Sequence, residues 1–301
     1  MNQQNKREYE LYKNNFLRKS DTVQTVEGCL KIVKDWLRFF KDGHLMTRNL
    51  IRQGSSRKVE IKYTEIDKNA GILIIPSFNH IYKKEIDSVL LANEKMILSK
   101  PVLIIDIRNN GGGSDVTFSK LIPYLYTNPI ITISSSIYST PENIRKFEKT
   151  INDPLFPARE KDYFRTLIDK MRKSLYGYVE RPDDTLTLHR IFPAPALVGI
   201  IYNKKTISSA EGFVLKARQS KKVILFGENS GGVLDYANMN WVKFPCLDNE
   251  LGYGTSRSNR LPDQPVDNFG ITPDVLFVLG ISDWISEAKG YLYDLLLKKK
   301  D

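Results

Sequence analysis

Residues 102–114 read VLIIDIRNNGGGS, an apolar run that passes through polar residues into three glycines. The first five residues have the continuous apolar character of a strand that is buried on both faces. Glycines after such a strand free backbone N–H groups to face an anion or a developing oxyanion. Phosphate binding is less favoured, because the spacing G-x-G-x-x-G is absent and no lysine follows the glycines. A tight turn between a strand and a helix is the purely structural alternative.

Strand and helix patterns alternate on both sides of this stretch. Apolar runs that predict buried strands recur before and after it, and amphipathic or capped segments that predict helices lie between them. The predicted strands cover residues 59–63, 71–75, 102–106, 197–202 and 223–226, and the predicted helices cover 83–98, 114–126 and 209–220. This alternation predicts an α/β protein with a layered core.

Two further regions stand apart from this core. Apolar residues from Val26 to Phe40 recur at helical spacing and predict a helix that ends near Asp42-Gly43. We therefore expect an N-terminal helical subdomain at residues 1–56, which carries His44, and a core at residues 57–301. Within the core, residues 140–190 are charged and mostly helical, and we expect a helical insertion that could cover a cleft.

Composition limits the classes of partner. The chain has 301 residues and a formal net charge of +10, but its Lys and Arg residues are spread along it, so we expect a solvated surface and no nucleic-acid partner. The two cysteines, Cys29 and Cys246, stand alone and are expected to be buried; we expect no metal and no cofactor. The oligomeric state stays open.

Compartment is less constrained. The longest apolar runs fall far short of the roughly 18 residues that a membrane span requires. The first ten residues, MNQQNKREYE, lack an apolar signal core. Either the protein stays in the cytoplasm or a signal peptide has been removed, and we expect export to the periplasm or the extracellular space.

Ser208 lies between the predicted strand 197–202 and the predicted helix 209–220. A serine at this junction exposes its hydroxyl at a helix N-terminus, where the dipole favours negative charge. The structural alternative is an ordinary helix N-cap. A catalytic serine needs a base, and of the three histidines, His44, His80 and His189, the first is the candidate because it follows a helix on a connecting segment.

Taken together, the motifs resemble those of the C-terminal processing peptidase family, which includes the tail-specific proteases and the tricorn core protease. The resemblance covers most of the chain. It rests on Asp106-x-Arg108-x-Asn110-x-Gly112-Gly113, Ser208-Ser209-Ala210-Glu211, Gly227-Glu228-Asn-Ser-Gly231-Gly232 and Gly270-Ile-Thr-Pro273-Asp274. It implies a crotonase/ClpP-like layered α/β core and a serine endopeptidase that acts on unstructured proteins or peptides.

The family has two catalytic designs. One branch uses a lysine in the glycine segment as the base, but this chain has Val233 there, and no Lys or Arg occurs from Val223 to Trp241. The other branch uses a histidine from the N-terminal region and an acid before the G-x-x-P-D motif, which the resemblance assigns to His44 and Asp267. The family acid is usually glutamate, so Asp263 and Asp274 remain alternatives for this role. The chain leaves no room for the PDZ domain of many relatives.

The resemblance also implies a mechanism. His44 accepts the proton of Ser208 during attack and returns it to the leaving amine, while Asp267 orients the imidazole. Backbone N–H groups of Gly112 and Ser209 stabilise the oxyanion. Two rival readings are a catalytically lapsed member that binds peptides or apolar ligands, and a crotonase-like acyl-CoA enzyme.

Overall fold

The structure is a computed structural model that describes residues 3–50, 59–152, 158–244, 248–277 and 282–298. The helices are α1 (Gln3–Ser20), α2 (Val26–Leu37), α3 (Lys83–Ser99), α4 (Ile122–Leu125), α5 (Pro141–Asn152), α6 (Ala158–Lys173), α7 (Ser209–Ala217) and α8 (Trp284–Lys298). The strands are β1 (Met46–Asn49), β2 (Lys62–Glu65), β3 (Ala70–Ile74), β4 (Val102–Asp106), β5 (Ile130–Thr132), β6 (Ser135–Tyr138), β7 (Tyr178–Val179), β8 (Asp184–Leu186), β9 (Leu197–Tyr202), β10 (Val223–Gly227), β11 (Tyr236–Lys243), β12 (Asn249–Ser258) and β13 (Val275–Leu276).

The chain folds into two compact units that interleave along the sequence. The first unit comprises residues 1–56, 137–179 and 236–257, and the second comprises residues 57–136, 180–235 and 258–301. The domain boundaries expected from the sequence, at 56/57 and at about 140–190, stay a prediction. No helix within the described ranges is long and apolar enough to cross a bilayer.

A six-stranded sheet forms the centre of the second unit. Its strand order is β13-β10-β9-β4-β3-β2, and all neighbours are parallel except β2, which pairs antiparallel with β3. Parallel strands need crossovers, which α3 and α7 provide between β3 and β4 and between β9 and β10. The predicted layered α/β core is confirmed.

Both faces of this sheet are covered, which explains the continuous apolar runs. Alternate side chains of β4 point to opposite faces: Leu103 and Ile105 join the core formed with α3 and α7, whereas Val102 and Ile104 pack with residues of α8. The carboxyl ends of parallel strands meet at one edge of a sheet. The glycine turn after β4, the serine turn after β9 and the glycine segment after β10 therefore lie at the same edge.

The first unit contains helices α1, α2, α5 and α6. It also contains an antiparallel sheet that the sequence analysis did not predict. β12 pairs with β1 and β6 along one side and with β11 along the other, and β7 pairs with β6. Helices α5 and α6 enclose a small apolar core with Ile137 and Val179, in which Phe147 and Met171 are buried.

Three details differ from the sequence-based expectations. Residues 115–121 form a 3-10 helix and only 122–125 are α-helical, and Ser114 makes no side-chain cap. Pro123 explains this, because it has no N–H to bond the carbonyl four residues earlier. The helix α2 ends at Leu37 and continues as a 3-10 turn to Phe40, before Asp42-Gly43. Cys29 is exposed rather than buried, and Cys246 lies outside the described residues.

Candidate active site

Ser208 occupies a sharp turn between β9 and α7. Its backbone has φ 59° and ψ −128°, a combination that residues other than glycine rarely adopt. Such conformations cost about 1–3 kcal/mol and persist only where surrounding contacts impose them. A strained serine at the turn from a strand into a helix is the geometry of a nucleophile elbow, which exposes the hydroxyl above the sheet.

The carboxylate of Glu211 holds this turn in place. It is fully buried. One oxygen accepts hydrogen bonds from the Ser230 hydroxyl and the Gly232 N–H, and the other accepts from the N–H groups of Ser208 and Val233, at 2.5–3.0 Å. Burial raises the pKa of Glu211, and these four hydrogen bonds oppose that shift. Because all four partners are donors, the geometry suits an ionised carboxylate.

The glycine turn after β4 packs directly against the serine turn. Gly112 has φ +82°, and a Cβ atom added to it would lie 2.8 Å from the carbonyl oxygen of Ile207 and 2.8 Å from the Cβ of Ser208. Only a residue without a side chain fits this position. The two motifs, nearly a hundred residues apart in sequence, therefore meet.

Asn110 joins the glycine turn to its neighbours. Its side chain is fully buried, accepts hydrogen bonds from the N–H groups of Phe78 and Gly112, and donates to the carbonyl of Ile75. Its own carbonyl accepts from the Ile207 N–H at 3.1 Å. Asn110 thus connects the loop after β3, the glycine turn and the residue that precedes Ser208.

The N–H groups available to an oxyanion differ by one residue from the expectation. The N–H of Gly112 donates to Asn110 at 2.9 Å and is not free. The next residue, Gly113, forms a parallel bridge with Phe78 through its neighbours' backbone groups, so its own N–H faces away from Phe78. Among the described residues the N–H groups of Gly113 and of Ser209, the first residue of α7, have no hydrogen-bond partner. The glycine turn thus offers its N–H at Gly113, whereas the N–H of Gly112, which the sequence analysis expected as the donor, is occupied.

Asp106 and Arg108, at the start of the same motif, form a structural ion pair. The guanidinium donates to both carboxylate oxygens at 2.6–3.1 Å and lies 5.4 Å from the centre of the Trp284 ring. The partnership raises the pKa of Arg108. These contacts fix the chain as it leaves β4, and neither side chain contacts Ser208 through any hydrogen bond or ion pair within the described ranges.

Asp267 lies on a loop that is hydrogen-bonded to the segment beside Ser208. Val233 accepts the Ser208 N–H at 2.9 Å, and the next two residues, Leu234 and Asp235, donate their N–H groups to Asp267 Oδ1 at 2.6 and 2.7 Å. Asp267 is 9% exposed. Its second oxygen, Oδ2, is buried and has no hydrogen-bond partner among the residues that the structure describes.

The two alternative acids have other environments. Asp274 caps the backbone of β10 by accepting the Leu225 N–H at 2.8 Å. Asp263 is exposed. Asp267 is thus the acid of the three that combines burial with an unused oxygen.

The three histidines lie in different surroundings. His44 belongs to the first unit and lies between the end of α2 and β1. Its backbone N–H donates to the Asp42 side chain at 2.8 Å, and the residue is 6% exposed. His80 and His189 are exposed residues of the second unit. The position at which one branch carries a lysine is occupied by Val233, whose backbone contacts the serine turn.

Some residues of the site were missed by the sequence analysis. Ser230 was quoted within a motif without a role, and Asp235 and Arg260 were not singled out. Their partners lie 19 to 41 residues away, so no local pattern marks them. Within the described ranges, no group of three or more His, Cys, Asp or Glu side chains could hold a metal ion.

Comparisons with known proteins identify the fold and the family. No curated protein matches the chain at a significant level. Three similar structures show the same fold. They are a lipoprotein from Streptococcus agalactiae (18% identity, 96% of this chain and 89% of that chain, TM-score 0.58), a protein of Parabacteroides merdae (18%, 94% and 88%, 0.61) and mature CPAF complexed with lactacystin (15%, 78% and 53%, 0.55).

The family is shown by a sequence match. The sequence model of Peptidase family S41 matches residues 69–277, which is more than two thirds of the chain. The match includes the glycine turn, the serine turn and the loop that carries Asp267. The resemblance inferred from the motifs is confirmed. The chain belongs to Peptidase family S41 and is a serine-type peptidase.

Proposed function

We propose that this chain is an active endopeptidase that hydrolyses peptide bonds of unstructured proteins or peptides, with Ser208 as the nucleophile. The observation that carries the proposal is the strained backbone of Ser208, held by the buried Glu211 against the glycine turn. Backbone strain of this kind is concentrated at functional sites. An ordinary N-cap serine caps a helix with an unstrained backbone in the β region.

The oxyanion site uses two backbone donors. The N–H groups of Gly113 and Ser209 have no partner among the described residues, and Gly112 brings the two turns together. When the hydroxyl oxygen of Ser208 adds to a peptide carbonyl, the negative charge that develops on the carbonyl oxygen would be stabilised by these donors. Loss of one such donor typically lowers the rate on the order of a hundredfold or more.

The base is assigned to His44 on the sequence alone. The imidazole takes the Ser208 proton as the C–O bond forms, and gives it to the amine nitrogen as the C–N bond breaks. A water molecule, deprotonated by the same base, then attacks the acyl-enzyme. This step releases the new carboxyl end of the substrate and restores the Ser208 hydroxyl. Asp267 is assigned to orient the imidazole, which is supported by its buried, unpartnered Oδ2.

Export is the compartment we propose. It is supported by the similarity to a chain described as a lipoprotein.

Hydrolysis of an unstructured protein such as reduced, alkylated casein tests the proposal. Ser208→Ala should abolish cleavage, because no other group can form the acyl-enzyme. Two matched controls change exposed residues of the second unit: Ser99→Ala, whose hydroxyl only bonds the carbonyl of Met96, and His80→Ala as the counterpart of His44→Ala.

The outcomes separate catalysis from binding. A loss of activity in Ser208→Ala and His44→Ala, with both controls and the far-ultraviolet circular dichroism unchanged, is expected. Parental cleavage by the Ser208 variant would refute the nucleophile. A parent that retains peptides without cleaving them would instead favour a catalytically lapsed binding protein.

A further inference from the structure

Asp235 and Arg260, which have no assigned role, lie directly behind Asp267. The Asp235 side chain is fully buried, and its Oδ1 pairs with Arg260 Nη2 at 2.9 Å. Its Oδ2 accepts the N–H groups of Val266 and Asp267 at 2.6 and 2.8 Å. A buried carboxylate with two backbone donors and a cation has its charge satisfied, so Asp235 needs no further partner.

The two aspartates hold each other's backbone. Asp235 accepts from the N–H of Asp267, while Asp267 Oδ1 accepts from the N–H of Asp235. The reciprocal hydrogen bonds close two loops on each other, in addition to the bond from the Asn268 N–H to the Gly232 carbonyl at 3.0 Å. This cross-linked pair of loops, residues 232–235 and 266–268, is called the acid latch below.

The latch leaves the two carboxylates in different states. The charge of Asp235 is paired with Arg260, whereas no Lys or Arg of the described residues forms an ion pair with Asp267. Asp267 Oδ1 is used by the latch, and only the buried Oδ2 lacks a partner. A buried acceptor without a partner needs an explanation, and a catalytic role is one of them.

From this arrangement we infer that Asp235 and Arg260 form a positioning pair, which fixes Asp267 so that only its Oδ2 stays available to the proposed base. The inference rests on the proposed function, because it gives Asp267 its task. Arg260 neutralises Asp235 and so reserves the charge of Asp267 for the imidazolium that forms during attack. Neither residue of the pair touches the reacting atoms.

The pH dependence of active-site labelling by a fluorophosphonate tests the inference in the full chain. A carboxylate held against an imidazole favours its charged form, so loss of the latch should move the acid-side midpoint of the rate profile to lower pH. In Asp235→Asn, one carboxylate oxygen becomes an NH₂ group, which would face either the Arg260 guanidinium or the N–H groups of Val266 and Asp267. Asp267 should shift as a result, and the labelling rate should fall roughly ten- to hundredfold. A merely structural role would lower the amount of labelled protein without moving the midpoint.

A second substitution supplies the rescue. Combining Asp235→Asn with Arg260→Gln lets the amide oxygen accept from Val266 and Asp267 while its NH₂ donates to the glutamine, so the midpoint should return toward that of the parent. If Asp235→Asn does not fold, Asp235→Glu takes its place, because one extra methylene displaces the 266–267 turn while keeping the ion pair, and the same shift is expected. Asp294→Asn, at an exposed aspartate of the second unit, is the matched control.

Asp267→Asn separates this inference from the proposed function. It should shift the midpoint at least as far as the Asp235 variants. Suppose that Asp267→Asn shifts the midpoint but folded Asp235 variants keep the parental rate and midpoint, or that the double variant stays shifted. Either result would refute the positioning pair and leave the role proposed for Asp267 standing. If Asp267→Asn itself behaves as the parent, the role proposed for Asp267 is refuted and the inference with it.

Discussion

The backbone conformation of Ser208 is unfavourable in free energy, and contacts with its neighbours must stabilise it. Its strained turn is held by Glu211 from below and by Gly112 from the side, and both contacts involve atoms with little freedom to move. A small change in either neighbour therefore acts on the nucleophile, even when the hydroxyl itself is untouched. Substitutions in the glycine turn therefore test directly whether Gly112 supports the conformation of Ser208.

Gly112→Ala should damage both folding and catalysis. The new Cβ would lie within 2.9 Å of atoms of Ile207, Ser208 and Ser209, at a φ of +82° that disfavours side chains. We expect a loss of at least about 1–2 kcal/mol in the free energy of unfolding from the backbone conformation alone, and a labelling rate at Ser208 reduced at least tenfold.

Gly111→Ala is the matched control for that substitution. It changes the neighbouring glycine of the same turn, where an added Cβ meets no atom within 4 Å. Urea unfolding of the control should stay within about 0.5 kcal/mol of the parent, as for most surface substitutions. Equal stability and labelling for the two variants would show that the turn is looser than the structure has it.

Residue patterns in the sequence identified part of this site. Ser208, Glu211 and Asn110 were found because each lies in a short motif next to a strand end. The sequence analysis expected the Gly112 N–H as the donor, and it could not foresee that this N–H bonds Asn110, because that bond depends on a side-chain orientation that spacing does not reveal. Asp235 and Arg260 were missed, since their partners come from loops more than twenty residues away.

At the scale of elements, helix α5 is joined to the β11–β12 hairpin by a lysine. The Lys146 ammonium donates to the carbonyl of Asn238, a strand residue with φ 57°, and lies 3.5 Å from the Thr255 hydroxyl. No carboxylate among the described residues forms an ion pair with it. Burial lowers the pKa of Lys146 to about 8.

This lysine should make stability depend on pH. Its pKa in the folded state lies below the value of about 10.4 in the unfolded chain. Between pH 8 and pH 10 the unfolded chain therefore binds more protons, so the free energy of unfolding rises with pH over that window. Below pH 8 the lysine is charged in both states and the cost of burying the charge is fully present.

Lys146→Met isolates this contribution. Between pH 7.5 and 9.5 the parent should gain on the order of 1–2 kcal/mol relative to the variant in urea unfolding. Lys149→Met, an exposed lysine on the same helix, should follow the parent. Parallel pH profiles for the parent and Lys146→Met would contradict a desolvated ammonium at this contact.

For the whole molecule, the two units differ in how well the sequence predicts them. The central strands of the second unit are recognisable because each is apolar along its length and is followed by a helix before its parallel neighbour. The sheet of the first unit combines strands at residues 46–49, 135–138, 178–179, 236–243 and 249–258. Its strands are short or rich in Asn and Gly, so only long-range pairing specifies them.

The family assignment and the geometry of the second unit together lead to one central claim, that Ser208 is the activated nucleophile of this peptidase. Labelling of the full chain with a fluorophosphonate, followed by mass spectrometric mapping of the modified residue, tests it most directly. The account predicts a single adduct on Ser208 that is lost in Ser208→Ala, strongly reduced in His44→Ala and unchanged in His80→Ala. An adduct on another residue, or undiminished labelling without His44, would contradict it.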